Sequence, residues 1–187
     1  MYITKIDIDT SRRENYKGFV DAGYFHSVLE NCFEGERGHP LWQITKNQIL
    51  MVSERMPVVP SWFGHAQTKE YNLKISEGSL LHYRIVVNPT VKKDGKRIPL
   101  NVNKTENYPY CAADWLVDRL GKNGAKVLSS DMIENHIGKA KDGKVKFLAV
   151  TYEGVLLVED EEKFDHLLKY GVGHEKAYGC GLLLVRK

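Results

Sequence analysis

The residues with the clearest capacity for chemistry are a histidine near the start of the chain and a glycine-rich segment near its end. His26 stands in the sequence HSVL within an apolar helical pattern, and an imidazole exchanges a proton near neutral pH. The second segment, GVGHEKAYGCGLLLV, contains Lys176, Tyr178 and four glycines: Gly171, Gly173, Gly179 and Gly181. Unpaired amides of such a loop can bind phosphate oxygens, the lysine supplies a positive charge, and the tyrosine can stack on a base or ribose.

Each of these features also has a purely structural interpretation. Around His26, apolar residues recur at helical spacing: Ala22, Phe25, Val28, Leu29 and Cys32. His26 projects about 100° from Phe25, at the edge of this stripe, where a histidine can simply mark the core boundary. Likewise, Gly171 can end a helix, and Gly179 and Gly181 can be bulge glycines before a strand. The residues alone leave both interpretations open.

Familiar nucleotide-binding and metal-binding motifs are absent. A dinucleotide-binding loop needs a strand before its glycines and a helix after them, whereas here a helix precedes and a strand follows. No GK[ST] sequence and no HExxH sequence occur. The three cysteines are widely spaced and form no CxxC pair, which favours reduced, packed thiols: Cys32, Cys111 and Cys180. We therefore expect neither a metal nor a cofactor.

The formal net charge is only +3, but the cations are concentrated in two short segments, KKDGKR (92–97) and GKAKDGKVK (138–146). Both resemble hairpin tips, and a nearly neutral chain with two local basic clusters suits a polyanion bound on one face. A solvated hairpin tip is also commonly rich in lysine, so each cluster alone is ambiguous. The predicted phosphate contacts are Lys92, Lys93, Lys96, Arg97, Lys139, Lys141, Lys144 and Lys146.

The length and hydropathy of the chain limit its class. The 187 residues suffice for one large or two small domains, and no run of about 18 apolar residues is present. The amino terminus, MYITKIDIDT, alternates apolar and polar residues and lacks the pattern of a signal peptide. We therefore expect a cytoplasmic protein with no membrane partner.

The order of predicted elements suggests the architecture that must position these residues. Each half reads approximately as strand, helix, two strands, helix or loop, and strand, which is the order of the split βαβ unit. We predict Asp21 as the cap of the first helix, an irregular or briefly helical segment at 57–71, and a strand break at Glu153–Gly154. The predicted fold is α+β, with two tandem ferredoxin-like domains and antiparallel sheets, residues 1–88 and 89–187.

The glycine-rich segment matches the pattern GxGxxKAxGxGLL and resembles the carboxy-terminal signature of the repeat-associated RNA-binding proteins of CRISPR systems. With MYITKI, LLHYRIVVNPTVKKDGKRIPL and YEGVLLVED in the same order, the chain is similar over nearly its full length to the CasE family of type I-E Cascade complexes. That resemblance implies two ferredoxin-like domains and an endoribonuclease that cuts the stem-loop repeats of CRISPR precursor RNA without metal. It also implies that the product stays bound and that other Cascade subunits are partners.

The resemblance further assigns the site. The family's catalytic histidine lies in the first helix in an HxxL pattern, which His26 and Leu29 reproduce. The family often has a tyrosine three residues earlier, where this chain has Gly23, so Tyr24 is the substitute that we predict, with Tyr16 and Tyr178 as further phenols. Side chains two positions apart on a helix are about 200° apart around its axis, so Tyr24 can assist His26 only if the first turn is irregular. His174, inside the glycine-rich segment, is a second catalytic candidate.

The sequence is also compatible with other functions. A non-catalytic RNA-binding subunit of the same ribonucleoprotein would share the fold and the glycine-rich segment. A small-molecule enzyme on the same scaffold is a third class, because fold does not fix function. Whether His26 acts as base or acid is also open.

Overall fold

The computed structural model describes all residues, 1–187. The chain divides into two compact units. The first comprises residues 1–73, 138–146 and 176–179, and the second comprises residues 74–137, 147–175 and 180–187. No helix is both long and apolar enough to cross a bilayer.

The first unit contains a four-stranded antiparallel sheet in the order β2-β3-β1-β4. Its strands are β1 (Tyr2–Ile8), β2 (Leu41–Thr45), β3 (Gln48–Ser53) and β4 (Gly64–Glu70). The helices α1 (Lys17–Val20) and α2 (Ala22–Glu30) connect β1 to β2. Buried residues of α2 and the sheet form one core, which includes Ile6, Phe25, Leu29, Trp42 and Phe63.

The second unit contains a four-stranded sheet in the order β10-β5-β9-β8. Its elements are β5 (Leu80–Val87), α3 (Ala112–Lys122), β8 (Ala125–Ala140), β9 (Val145–Val158), α4 (Glu161–Tyr170) and β10 (Leu183–Arg186). The short strands β6 (Thr90–Lys93) and β7 (Lys96–Pro99) form a separate hairpin. Trp115 and Leu116 of α3 and Phe164 of α4 pack into the core of this unit.

Both sheets have the strand order of the split βαβ unit, with the third strand between the first two and the last strand beside the first. The predicted α+β fold with two ferredoxin-like domains is confirmed. The second unit has both helices of the split βαβ unit, α3 and α4. In the first unit no helix lies between β3 and β4.

The structure corrects three details of the sequence prediction. The predicted boundary between residues 88 and 89 falls inside the second unit, because β5 pairs with both β9 and β10. Residues 64–70 form strand β4 instead of an irregular segment, since this edge strand of mainly polar residues pairs with β1. The strand does not break at Glu153–Gly154: a side chain at Gly154 would overlap the Ser129 carbonyl, so the glycine permits close pairing with β8.

Candidate active site

Helix α2 fixes the direction in which His26 points. Its cap is Asp21, as predicted, whose carboxylate accepts a hydrogen bond from the Gly23 amide at 2.8 Å. Phe25 and Leu29 are 1% and 0% exposed, which anchors one face of the helix in the core of the first unit. The His26 side chain is 31% exposed, as expected for the edge of the stripe. The imidazole is therefore held by packing and still accessible.

A 3₁₀ turn of the glycine-rich segment, Lys176–Tyr178, belongs to the same unit and brings an aromatic ring to this histidine. The ring centroids of His26 and Tyr178 are 6.0 Å apart and nearly perpendicular. The next residue, Gly179, has φ +87°, and a Cβ there would lie 3.1 Å from the Trp42 ring. Burial lowers the pKa of Lys176 in the same turn, so its ammonium is partly withdrawn from water.

Glu30 is a member of this site that the sequence prediction missed. Its carboxylate Oε1 lies 3.5 Å from Nε2 of His26 and 3.2 Å from Nδ1 of His39, and its Oε2 lies 4.0 Å from Nη1 of Arg37. The spacing of His26 and Glu30 was the available signal, since residues four apart share a helical face.

The basic segment 138–146 forms the tip between β8 and β9 and also belongs to the first unit. Its four predicted phosphate-binding lysines are exposed: Lys139, Lys141, Lys144 and Lys146. The Asp21 carboxylate accepts hydrogen bonds from the amides of Lys141 and Asp142, at 3.1 and 2.6 Å. One side chain therefore caps α2 and fastens the basic tip to the start of that helix.

Replacing Asp21 by alanine is expected to weaken the predicted RNA binding and cleavage together, because the basic tip loses its hydrogen bonds to the start of α2. Loss of the cap alone should lower the free energy of unfolding by about 1 kcal/mol. Asp160→Ala is the matched control, since Asp160 caps α4 through the Lys163 amide in the second unit. Denaturant unfolding should show a similar loss of stability in both variants. RNA titration should show a loss of affinity in Asp21→Ala only. Equal RNA affinities in the two variants would contradict this role.

The structure does not bring every predicted residue to His26. The Tyr24 ring lies beside Phe25, and its hydroxyl donates to Oδ1 of Asn15 at 3.4 Å. Desolvation and the nearby Glu14 charge raise the pKa of Tyr24, which disfavours a phenolate. Tyr24 lines a cavity of about 1000 Å³ together with Tyr16 and Lys141. Its catalytic role stays a prediction, and the phenol that the structure places against His26 is Tyr178.

The glycines of the carboxy-terminal segment have local structural roles. Gly171 ends α4 with φ +70°, and its amide donates to Leu167. The amides of Gly179 and Gly181 donate to the carbonyls of Lys176 and Val86. These three amides are therefore already paired and are not among the unpaired amides that could bind phosphate oxygens. Gly173 has φ +73° and leaves room for Trp115, since a Cβ there would lie 2.7 Å from the indole. Contact of this segment with RNA stays a prediction.

The other predicted residues lie in the second unit. His174, the second catalytic candidate, is partly exposed there. The β6–β7 hairpin turns at Asp94 and Gly95, which have φ +50° and +77°, as the sequence pattern indicated. Its four cations are exposed: Lys92, Lys93, Lys96 and Arg97. No group of three or more histidine, cysteine or acidic side chains is arranged to hold a metal ion.

Comparison with known proteins identifies the family. The sequence model of a family described as CRISPR associated protein matches residues 1–187. The chain is a CRISPR-associated protein. It is also 31% identical over 146 residues to the CRISPR system Cascade subunit CasE of Escherichia coli, an alignment that covers 72% of each chain.

Two further comparisons extend over the whole CRISPR-associated chain. It is 26% identical over 215 residues to the CRISPR-associated endoribonuclease Cse3 of Thermus thermophilus, with 99% of each chain covered. A solved structure of the CRISPR endoribonuclease Cse3 bound to a 19-nucleotide RNA superposes with a TM-score of 0.87 at 24% identity. It covers 100% of this chain and 98% of that one, which shows that the fold is shared.

Proposed function

We propose that the protein is a metal-independent endoribonuclease that cuts the stem-loop repeats of CRISPR precursor RNA and stays bound to the guide RNA. The observation that carries this proposal is the accessible imidazole of His26 against Tyr178 of the glycine-rich segment, within one unit that also carries a basic hairpin tip. The names of the relatives, CasE and the endoribonuclease Cse3, support the same activity.

The proposed reaction needs the RNA, side chains of this chain and solvent water, which carries the proton that His26 does not transfer. The ribose 2′-oxygen attacks the adjacent phosphorus, the bond from phosphorus to the 5′-oxygen breaks, and a 2′,3′-cyclic phosphate and a 5′-hydroxyl result. One proton leaves the 2′-hydroxyl and one reaches the 5′-oxygen, and His26 performs one of these transfers. Lys176, in the turn that carries Tyr178, supplies positive charge to the phosphorane oxygens.

The partners follow from the same surfaces. The two exposed basic hairpins bind the phosphates of the repeat stem, and the name of the Escherichia coli relative indicates assembly with other Cascade subunits. The proposed site of action is the cytoplasm, where the transcript is made.

The deciding experiment incubates the protein with a repeat stem-loop RNA in EDTA and analyses the ends of the products. We expect a single cut with a 2′,3′-cyclic phosphate, and no cut in a matched RNA that has a 2′-deoxyribose at the scissile position. Binding of both RNAs without cleavage of either would favour the alternative, a non-catalytic RNA-binding subunit. A cut in the 2′-deoxy RNA would exclude the proposed nucleophile.

RNA affinity is expected to fall steeply with salt. Neutralisation of about six phosphates predicts a slope of log K against log salt of roughly −4 to −5. Replacing the four lysines of the 138–146 tip by glutamine should make the slope less steep by about 3. The control carries the same charge change at lysines outside the predicted contact set: Lys5, Lys69, Lys74 and Lys122. Equal slopes for the two variants would remove the tip from the RNA interface, and weak, salt-independent binding of the wild type would favour a small-molecule function.

A further inference from the structure

We propose that Glu30 is a positioning residue for His26: its carboxylate engages Nε2 of the imidazole and leaves Nδ1 to exchange the proton with RNA. This inference rests on the proposed function and assigns which nitrogen of His26 does the chemistry. It is built from one ion-pair cluster within the first unit.

The location of Glu30 is unfavourable for a carboxylate in two ways. Glu30 is the last residue of α2, where the helix dipole places partial negative charge. Its side chain is also only 11% exposed, which removes most of its hydration. Compensation for both effects must come from the basic side chains beside the carboxylate, which are His26, Arg37 and His39. The residue is therefore better explained by what its carboxylate holds than by the stability of the fold.

The loop after α2 is folded back onto this carboxylate. The Gly38 amide donates to the Glu30 carbonyl at 3.1 Å, and His39 lies beside the carboxylate. The loop itself is fixed by Arg55, which donates to the carbonyls of Glu34 and Glu36 at 3.0 and 2.7 Å. The loop is thus kept beside Glu30 by its own backbone contacts, and Oε1 of the carboxylate lies near both His39 and His26.

The imidazole of His26 is confined by two neighbours. Oε1 of Glu30 faces Nε2 at 3.5 Å, and the Tyr178 ring meets the imidazole nearly at a right angle. Glu30 Oε1 is the carboxylate oxygen that lies near Nε2, and a neutral ring whose proton is on Nε2, as the proposal assigns, carries its lone pair on Nδ1. Nδ1 can then accept the 2′-hydroxyl proton as the bond from the 2′-oxygen to phosphorus forms. The carboxylate faces the positive charge that the ring gains, as a buried acid does for the histidine of a serine protease.

The test compares Glu30→Gln with wild type, using His39→Gln as the matched control because it removes the other histidine on the same carboxylate. Glu30→Gln is expected to slow single-turnover cleavage by at least about tenfold, with RNA affinity unchanged. The thermal midpoint should change little, because glutamine has the size of glutamate and loses both the unfavourable helix-end charge and its ion pairs. His39→Gln should cut at nearly the wild-type rate, since the His39 side chain is 85% exposed. A Glu30→Gln variant with the wild-type rate, or with its rate loss matched by His39→Gln, would overturn the proposal.

Two further measurements separate positioning from a general structural effect. In the His26→Ala background, Glu30→Gln should cause no additional loss of residual cleavage, because Glu30 is proposed to act only through His26. Nitrogen NMR of the histidines should show the proton of neutral His26 on Nε2 in wild type and a changed signal in Glu30→Gln. An additive rate loss, or an unchanged His26 signal, would overturn the proposal. If the wild type binds RNA without cutting it, the proposed function fails, and the NMR signal still decides whether Glu30 orients the ring.

Discussion

Replacing His26 by alanine is expected to lower the single-turnover rate of RNA cleavage by about 100- to 10,000-fold, the range that a positioned acid or base contributes. The affinity for the stem-loop should stay nearly unchanged, because the predicted phosphate contacts are the lysines and the arginine of the two hairpins and not this imidazole. Stability should change little, since the side chain is partly exposed and its neighbours Phe25 and Leu29 keep the helix in the core. Cleavage kinetics, RNA titration and thermal unfolding of one preparation measure all three quantities.

The control for this variant is His166→Ala. His166 also lies on a helix and against a tyrosine ring, with centroids 4.4 Å from Tyr170, but it belongs to the second unit. Its loss should leave cleavage at the wild-type rate. Rapid cleavage by His26→Ala would remove His26 from the chemistry and would leave His174 as the histidine of the glycine-rich segment to test next.

Features that depend on local sequence were predictable. The cap at Asp21 and the apolar stripe of α2 are set by residues within one helix, and both appear in the structure. The element order was sufficient for the ferredoxin-like fold, because the split βαβ connection leaves few ways to order the strands. Strand β4 was missed since it is an edge strand of mostly polar residues, whose pairing with β1 carries little hydrophobic signal.

Features that depend on contacts between distant segments were not predictable from one sequence. Asp21 fastens residues 120 and 121 positions later, and its carboxylate gives no sign of that second role. His39 reaches Glu30 only because the intervening loop folds back through the hydrogen bonds of Arg55. The approach of Tyr178 to His26 joins the two ends of the chain. The sequence was thus sufficient to identify His26, whereas the side chains that orient its ring could be found only from the folded structure.

Replacing Gly179 by alanine is expected to reduce both stability and cleavage, because this glycine sets the position of the turn that carries Tyr178. At φ +87° an added side chain is strained, and its Cβ would lie 3.1 and 3.2 Å from two atoms of the Trp42 ring. Trp42 is 1% exposed and packs edge-on against Phe25, so it cannot move aside freely. The unfavourable backbone conformation alone should lower the free energy of unfolding by about 1–3 kcal/mol.

Gly78→Ala separates the two contributions to that loss. Gly78 has φ +81° but no atom within 4 Å of an added Cβ, so alanine there incurs the conformational cost without a steric clash. We expect Gly179→Ala to unfold at a clearly lower denaturant concentration than Gly78→Ala and to cut RNA more slowly at temperatures where both are folded. If the two variants unfold alike and both cut at the wild-type rate, contact with Trp42 does not hold the turn against the helix of His26. In that case the glycines of this segment serve the chain reversal alone, and the imidazole must be oriented by Glu30 without help from Tyr178.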